Sequence, residues 1–281
     1  MKTYSSKRTT LALTNSMQRI AVALALALGT TLAQAADSVL WVGNSRTYVG
    51  NLPEVYKALV KAVDRRDIKA DMLVEGGGSL SGRVRSHALE RELKRKRFDA
   101  VLLQERGNLV TCILSKSEQD LADCKSSAAA FDELAQVART KGANVYLMGT
   151  HQDTDAKSRA INQAETLTAA RIKANGHVPL GVVYAAALKL RPGFRWVMPD
   201  DGYHPNRDLT LLMAVLSYRV IENKWPVSVD ISLEYRAFDN SVGFSDDRLG
   251  STQNTSFGRV REVVPAEHLA EIIEIAKTAT K

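Results

Sequence analysis

Short apolar runs that alternate with longer amphipathic stretches constrain this chain more than any other feature. Val39–Val42 (VLWV), Lys69–Val74, Ala100–Gln104, Asn144–Met148 and Pro179–Val183 read as five strands. Helical spacing recurs over Leu52–Arg66, Gly82–Lys96, Ser126–Lys141, Ala156–Asn175 and Arg207–Asn223, and again over Pro265–Thr280, where Ile272, Ile273 and Ile275 share the core face. Asn51 is a suitable N-cap, with Pro53 in the first turn. Continuous apolar strands joined by helices predict a parallel sheet covered on both faces. Right-handed crossovers then make an α/β chain of this kind a doubly wound, three-layer α/β/α sandwich with a central parallel sheet of about five strands. Residues 225–263 show no readable pattern and receive no element.

The first 35 residues read as a leader. Lys2, Lys7, Arg8 and Arg19 give a basic lead without acids, an apolar run follows from Ile20 to about Leu32, and Ala33-Gln34-Ala35 supplies a small-x-small cleavage pattern. The run is shorter than the ~20 apolar residues a spanning helix needs, so no transmembrane anchor is expected. Translation from Met17 would give a compact signal of the same kind, and Met1 remains the other start. Removing residues 1–35 leaves 34 bases against 31 acids, a formal charge of +3 instead of +7. The basic excess is thus mainly the leader's and does not point to nucleic acid. The run Arg91–Arg97 (RELKRKR) reads as a solvated helix face. The remaining 36–281 fit one domain, with 225–281 as a C-terminal extension, in the periplasm or outside the cell. The two cysteines, Cys112 and Cys124, are expected to close one small loop in an oxidising compartment. No Cys/His cluster suggests zinc, and no cofactor is expected.

In an open parallel sheet, ligands bind beyond the carboxyl ends of the strands. Gly43-Asn44-Ser45-Arg46, Gly76-Gly77-Gly78-Ser79-Leu80, Gln104-Glu105-Arg106-Gly107-Asn108, Thr150-His151-Gln152-Asp153 and Asp201-Gly202-Tyr203-His204-Pro205 all fall there. A serine hydroxyl is a poor nucleophile unless a base takes its proton and an acid orients that base. Asp201 and His204 stand three residues apart, close enough for carboxylate and imidazole to converge, and Ser45 lies at a neighbouring strand end.

Val39-Leu40-Trp41-Val42-Gly43-Asn44-Ser45 resembles the first block of the SGNH (GDSL-like) hydrolases, and Asp201-Gly202-Tyr203-His204-Pro205 resembles their last, D-x-x-H. The resemblance runs from Val39 to about Asn223. It implies a flavodoxin-like sandwich and ester hydrolysis through an acyl-enzyme, with Ser45 as nucleophile, His204 as base and Asp201 as its orienting acid. It also implies an oxyanion hole from the Ser45 N–H, a glycine after the second strand (Gly77 or Gly78) and a side-chain amide. That amide is Asn108, in a third block reading Arg106-Gly107-Asn108 where the family has G-x-N-D. The alternative is Gln104, in the L-Q-E pattern of a subgroup.

Gly76-Gly77-Gly78 does not complete a dinucleotide loop, because Ser81 stands where the last glycine belongs. His151 is expected in a surface loop, and His87, His177 and His268 carry no signal. The leading expectation is an extracytoplasmic serine esterase acting on a small acyl ester, such as an acylated carbohydrate or lipid. An acyltransferase using the same triad, or a periplasmic binding or assembly protein that has lost catalysis, would share the pattern.

Overall fold

The computed structural model describes residues 35–152, 154–238 and 258–280. The predicted leader up to Gln34 lies outside them, as do Asp153 and residues 239–257. Residues from Ala35 onward form one compact unit, and none of the described helices is long and apolar enough to cross a membrane.

Five strands form the sheet: β1 (Ser38–Asn44), β2 (Lys69–Glu75), β3 (Ala100–Leu103), β4 (Asn144–Met148) and β5 (Gly176–Val178). Their order is β2-β1-β3-β4-β5, with every pair parallel. This is the flavodoxin-like order, which reverses direction beside β1. The strand period of two divides the side chains between two cores. Leu40, Val42, Val101, Leu103, Val145 and Leu147 face one core, while Val39, Trp41, Ala100, Leu102, Tyr146 and Met148 face the other. Helices α4 (Ala88–Arg95), α5 (Ala122–Thr140) and α6 (Asp155–Arg171) close the first face. Helices α2 (Leu52–Asp64), α7 (Leu180–Leu190), α8 (Arg207–Ile221) and α9 (Ala266–Ala279) close the second. Two short helices, α1 (Ser45–Tyr48) and α3 (Leu80–Arg85), follow β1 and β2 directly. The three-layer sandwich is as expected.

Several boundaries differ from the sequence reading. The fifth strand is Gly176–Val178, not Pro179–Val183, and the apolar run beyond it is helix α7, with Pro179 at its N-cap. A short buried apolar run suits strand and helix equally, and here the helix packs between core and neighbouring helices. The helix expected over Gly82–Lys96 is broken into α3 and α4 at Ser86–His87, where His87 takes φ 50°. In α4 the basic residues of the Arg91–Arg97 run are exposed, while Leu93 is buried. Helix α5 begins four residues earlier than expected, at Ala122, and α6 ends at Arg171. Asn51 occupies the N-cap of α2 but makes no side-chain cap bond. Its amide instead donates to the Arg236 carbonyl at 2.9 Å.

The unplaced segment contains an antiparallel pair, β6 (Ile231–Arg236) and β7 (Arg259–Val264). Ile231, Leu233 and Tyr235 are buried, and Ser232, Glu234 and Arg236 are exposed. This is the strict alternation of a half-buried strand.

Candidate active site

Ser45 is the first residue of α1, immediately beyond β1. The turn into this helix is held by Asn44, which is 3% exposed. The Asn44 side-chain oxygen accepts from the Arg46 N–H at 3.2 Å. Its amide donates to the carbonyls of Gly78 at 3.3 Å and Glu105 at 3.4 Å. One side chain thereby ties the ends of β1, β2 and β3 together. Gly43 gives the turn room: a β-carbon there would lie 2.8 Å from Thr47 Oγ1 and 2.9 Å from Gln104 Oε1.

The Asp201–His204 segment precedes α8, whose N-cap Asn206 accepts from the Arg207 N–H. The segment folds back on itself, with the Met198 N–H donating to the His204 carbonyl at 2.8 Å. Asp201 Oδ1 accepts from the backbone N–H groups of Tyr203 at 2.8 Å and His204 at 2.9 Å. Asp201 Oδ2 lies 2.7 Å from His204 Nδ1, and His204 Nε2 lies 2.8 Å from Ser45 Oγ. Burial alone would raise the Asp201 carboxyl. The backbone N–H and imidazole of His204, with the Tyr203 N–H, overcome this and bring it down to about 2. An ionised Asp201 places the imidazole proton on Nδ1, leaving Nε2 to accept from the serine hydroxyl. The three residues singled out in sequence therefore form one continuous hydrogen-bonded chain.

No protein-family model matches this chain, and no curated protein matches it in sequence. Solved structures do match. A mutant of an acetyl-xylooligosaccharide esterase from Geobacillus Stearmophilus has a TM-score of 0.52 at 14% identity, over 70% of this chain and 100% of the other. A GDSL-like lipase from Parabacteroides merdae has a TM-score of 0.50 at 14% identity, over 69% of this chain and 99% of the other. The chain has the SGNH hydrolase fold. At these identities the likeness speaks of architecture alone.

Around the strand ends, the expected oxyanion donors differ in availability. The Gly78 N–H turns back to the Glu75 carbonyl at 3.1 Å. Gly77 has φ 64°, and nothing lies within 4 Å of where its β-carbon would be. Gln104 is 1% exposed. Its Oε1 accepts from Thr47 Oγ1 at 2.7 Å, and its Nε2 is buried without a hydrogen-bond partner. Asn108 is exposed on the loop after β3. Glu105, beside Gln104, is buried and accepts from the N–H groups of Leu80 at 3.2 Å and Arg106 at 2.7 Å, and from Ser127 Oγ at 2.7 Å. Burial raises its carboxyl, and these three donors oppose the rise.

His151 corrects the sequence reading, being 2% exposed rather than on a surface loop. Its Nε2–H donates to the Tyr203 carbonyl at 2.8 Å. Burial first, and the Arg46 charge second, push it well below the usual histidine range, so its ring is neutral. His177 and His268, which carried no signal, pair with Glu165 at 3.2 Å and Asp208 at 3.0 Å. Arg46 was unremarked in sequence because a cation beside a serine has no periodic or motif signature. It too is 2% exposed.

A cleft of about 350 Å³ opens beside Tyr203, lined also by Asn108, Thr111, Gln152, Lys157 and Ile161. The Cys112–Cys124 disulfide, with Cα atoms 5.8 Å apart, closes the loop next to Thr111. A larger hollow of about 590 Å³, with His177, Arg219, Trp225 and Lys277 in its walls, contains no residue of the triad segments.

Proposed function

We propose that this chain is an extracytoplasmic serine esterase that hydrolyses small acyl esters through an acyl-enzyme. The observation that carries the reading is the continuous Ser45–His204–Asp201 chain at 2.8 and 2.7 Å. Both distances are within the hydrogen-bond reach that general-base activation of a serine requires. His204 takes the Ser45 proton as Oγ attacks the acyl carbonyl, and Asp201 steadies the imidazolium that forms. The imidazolium then protonates the departing alcohol. Water attacks the acyl-enzyme in the second half-reaction, with His204 again as base.

The Ser45 and Gly77 N–H groups and the Asn108 amide hold the oxyanion in this reading. Gly77 is preferred because the Gly78 N–H is committed to Glu75, and Asn108 because the Gln104 amide has no exposed surface. The cleft beside Tyr203 has polar walls at Asn108, Thr111 and Gln152, and it is large enough for a sugar-sized group. An acetylated carbohydrate, the substrate type named for the Geobacillus esterase, is therefore the proposed substrate class. The leader pattern and the disulfide support a site of action outside the cytoplasm.

The test is p-nitrophenyl acetate hydrolysis by the wild type and Ser45→Ala. The variant should lose at least about 10⁴-fold in kcat. Equal rates, or fluorophosphonate labelling at a residue other than Ser45, would overturn the assignment.

A further inference from the structure

We propose that Arg46 is a positioning residue for the Ser45–His204 pair, acting through the Tyr203 ring and the His151 carbonyl. The role rests on the triad reading above. Arg46 follows Ser45 on a four-residue helix, and its guanidinium crosses to the segment that carries the base. Its Cζ lies 4.0 Å from the centroid of the Tyr203 ring, and its Nη1 donates to the His151 carbonyl. His151 answers by donating to the Tyr203 carbonyl at 2.8 Å. The Tyr203 ring stands edge-on to the His204 imidazole, at 5.3 Å and 88°. Ser45, Arg46, Tyr203 and His204 thus form a closed circuit, completed by the 2.8 Å contact between His204 and Ser45.

Stability alone does not account for an arginine here. Burying a guanidinium costs desolvation that an apolar residue of similar volume would avoid. One carbonyl, the Tyr203 side chain and the charge of Glu165 compensate it only in part, and Nη2 has no hydrogen-bond partner. What the planar group supplies is geometry. It binds a ring face and a carbonyl together and so restrains the rotation of Tyr203. A lysine ammonium could reach the carbonyl but could not stack flat. Displacements of about 1 Å at a reacting pair cost roughly 10²-fold in rate, so a restraint of this kind acts on kcat.

The test is a mutant cycle on p-nitrophenyl acetate, with fluorophosphonate labelling of Ser45 as a second readout. Arg46→Met should lower kcat by roughly 30–100-fold, leave KM within about 3-fold and slow labelling in parallel. Arg46→Lys should lose less. Tyr203→Leu should lower kcat as Arg46→Met does, and kcat of the double variant should be little worse than that of the worse single, because both residues act as one unit. An unchanged kcat in Arg46→Met, or losses that multiply in the double variant, would overturn the proposal. If Arg46→Met does not fold, Arg46→Lys and Tyr203→Leu complete the same cycle. Full activity in Ser45→Ala would sink the hydrolase reading and this role together. A normal Arg46→Met beside an inactive Ser45→Ala would sink the positioning role alone.

Discussion

Asp201 does two things with one carboxylate: it caps its own turn through Oδ1 and orients the imidazole through Oδ2. The three-residue step to His204 makes both possible without help from distant chain. Asp201→Asn keeps the shape but removes the charge that sets the tautomer, and kcat should fall by roughly 10³–10⁴-fold. The same pair makes a pH prediction. The folded carboxyl sits at about 2, below its unfolded value of about 3.9. Its contribution to stability is therefore fully present above pH 4 and is lost as the pH falls through about 2. The difference in Tm between wild type and Asp201→Asn should shrink steadily as the pH is lowered from 4 towards 2. The carboxyl is partly open to water, and solvent screening keeps this difference small, at no more than about 1 kcal/mol.

At the scale of elements, the strand-end loops are held by buried polar side chains instead of by regular structure. Asn44 and Glu105 bind the loop after β2, and the disulfide closes the loop after β3. The two cysteines are 12 residues apart. A cross-link of that span restricts the unfolded chain by about 2–3 kcal/mol, which corresponds to roughly 5–10 °C in a domain of this size. Reduction, or Cys112→Ala with Cys124→Ala, should lower Tm by that amount. Calorimetry with and without reductant checks it, and an unchanged Tm would show that the loop is held by its other contacts alone.

On the scale of the whole molecule, the C-terminal segment belongs to the core. Leu269, Ile272, Ile273, Ile275 and Ala276 of α9 are buried in the same cluster as Trp41, Leu102 and Met148. Ile272 has no exposed surface. Truncating it to alanine removes buried methyl groups and leaves a cavity, so Ile272→Ala should destabilise the fold by about 2–5 kcal/mol in urea unfolding. Ser45, Asp201 and His204 are not part of this cluster, and kcat under native conditions should stay near wild type. The period-two burial of Ile231–Arg236 could have been recognised in the sequence, because ISLEYR alternates without a break. Its partner β7 could not: Arg259–Val264 buries only its last residue.

How much was legible follows from how local each determinant is. Strands β1 to β4, the helices between them and the parallel sheet follow from periodicities within short windows. The Ser45, Asp201 and His204 assignments follow from residue type, spacing and position at strand ends. Strand five, with three residues and an apolar helix directly behind it, offered no window long enough to separate the two periods. The break at His87 has no glycine or proline to announce it. The candidate oxyanion donors stay undecided in sequence because exposure separates them: Gln104 lies under Thr47, while Asn108 stands on an open loop. Arg46 and His151 lie 105 residues apart and meet only when β1 and β4 end at one edge of the sheet. The sequence by itself thus determined the layers and singled out Ser45, Asp201 and His204 as candidates, through local pattern. The tertiary structure decided which neighbouring polar groups are buried and which are exposed, because burial depends on chain that is distant in sequence.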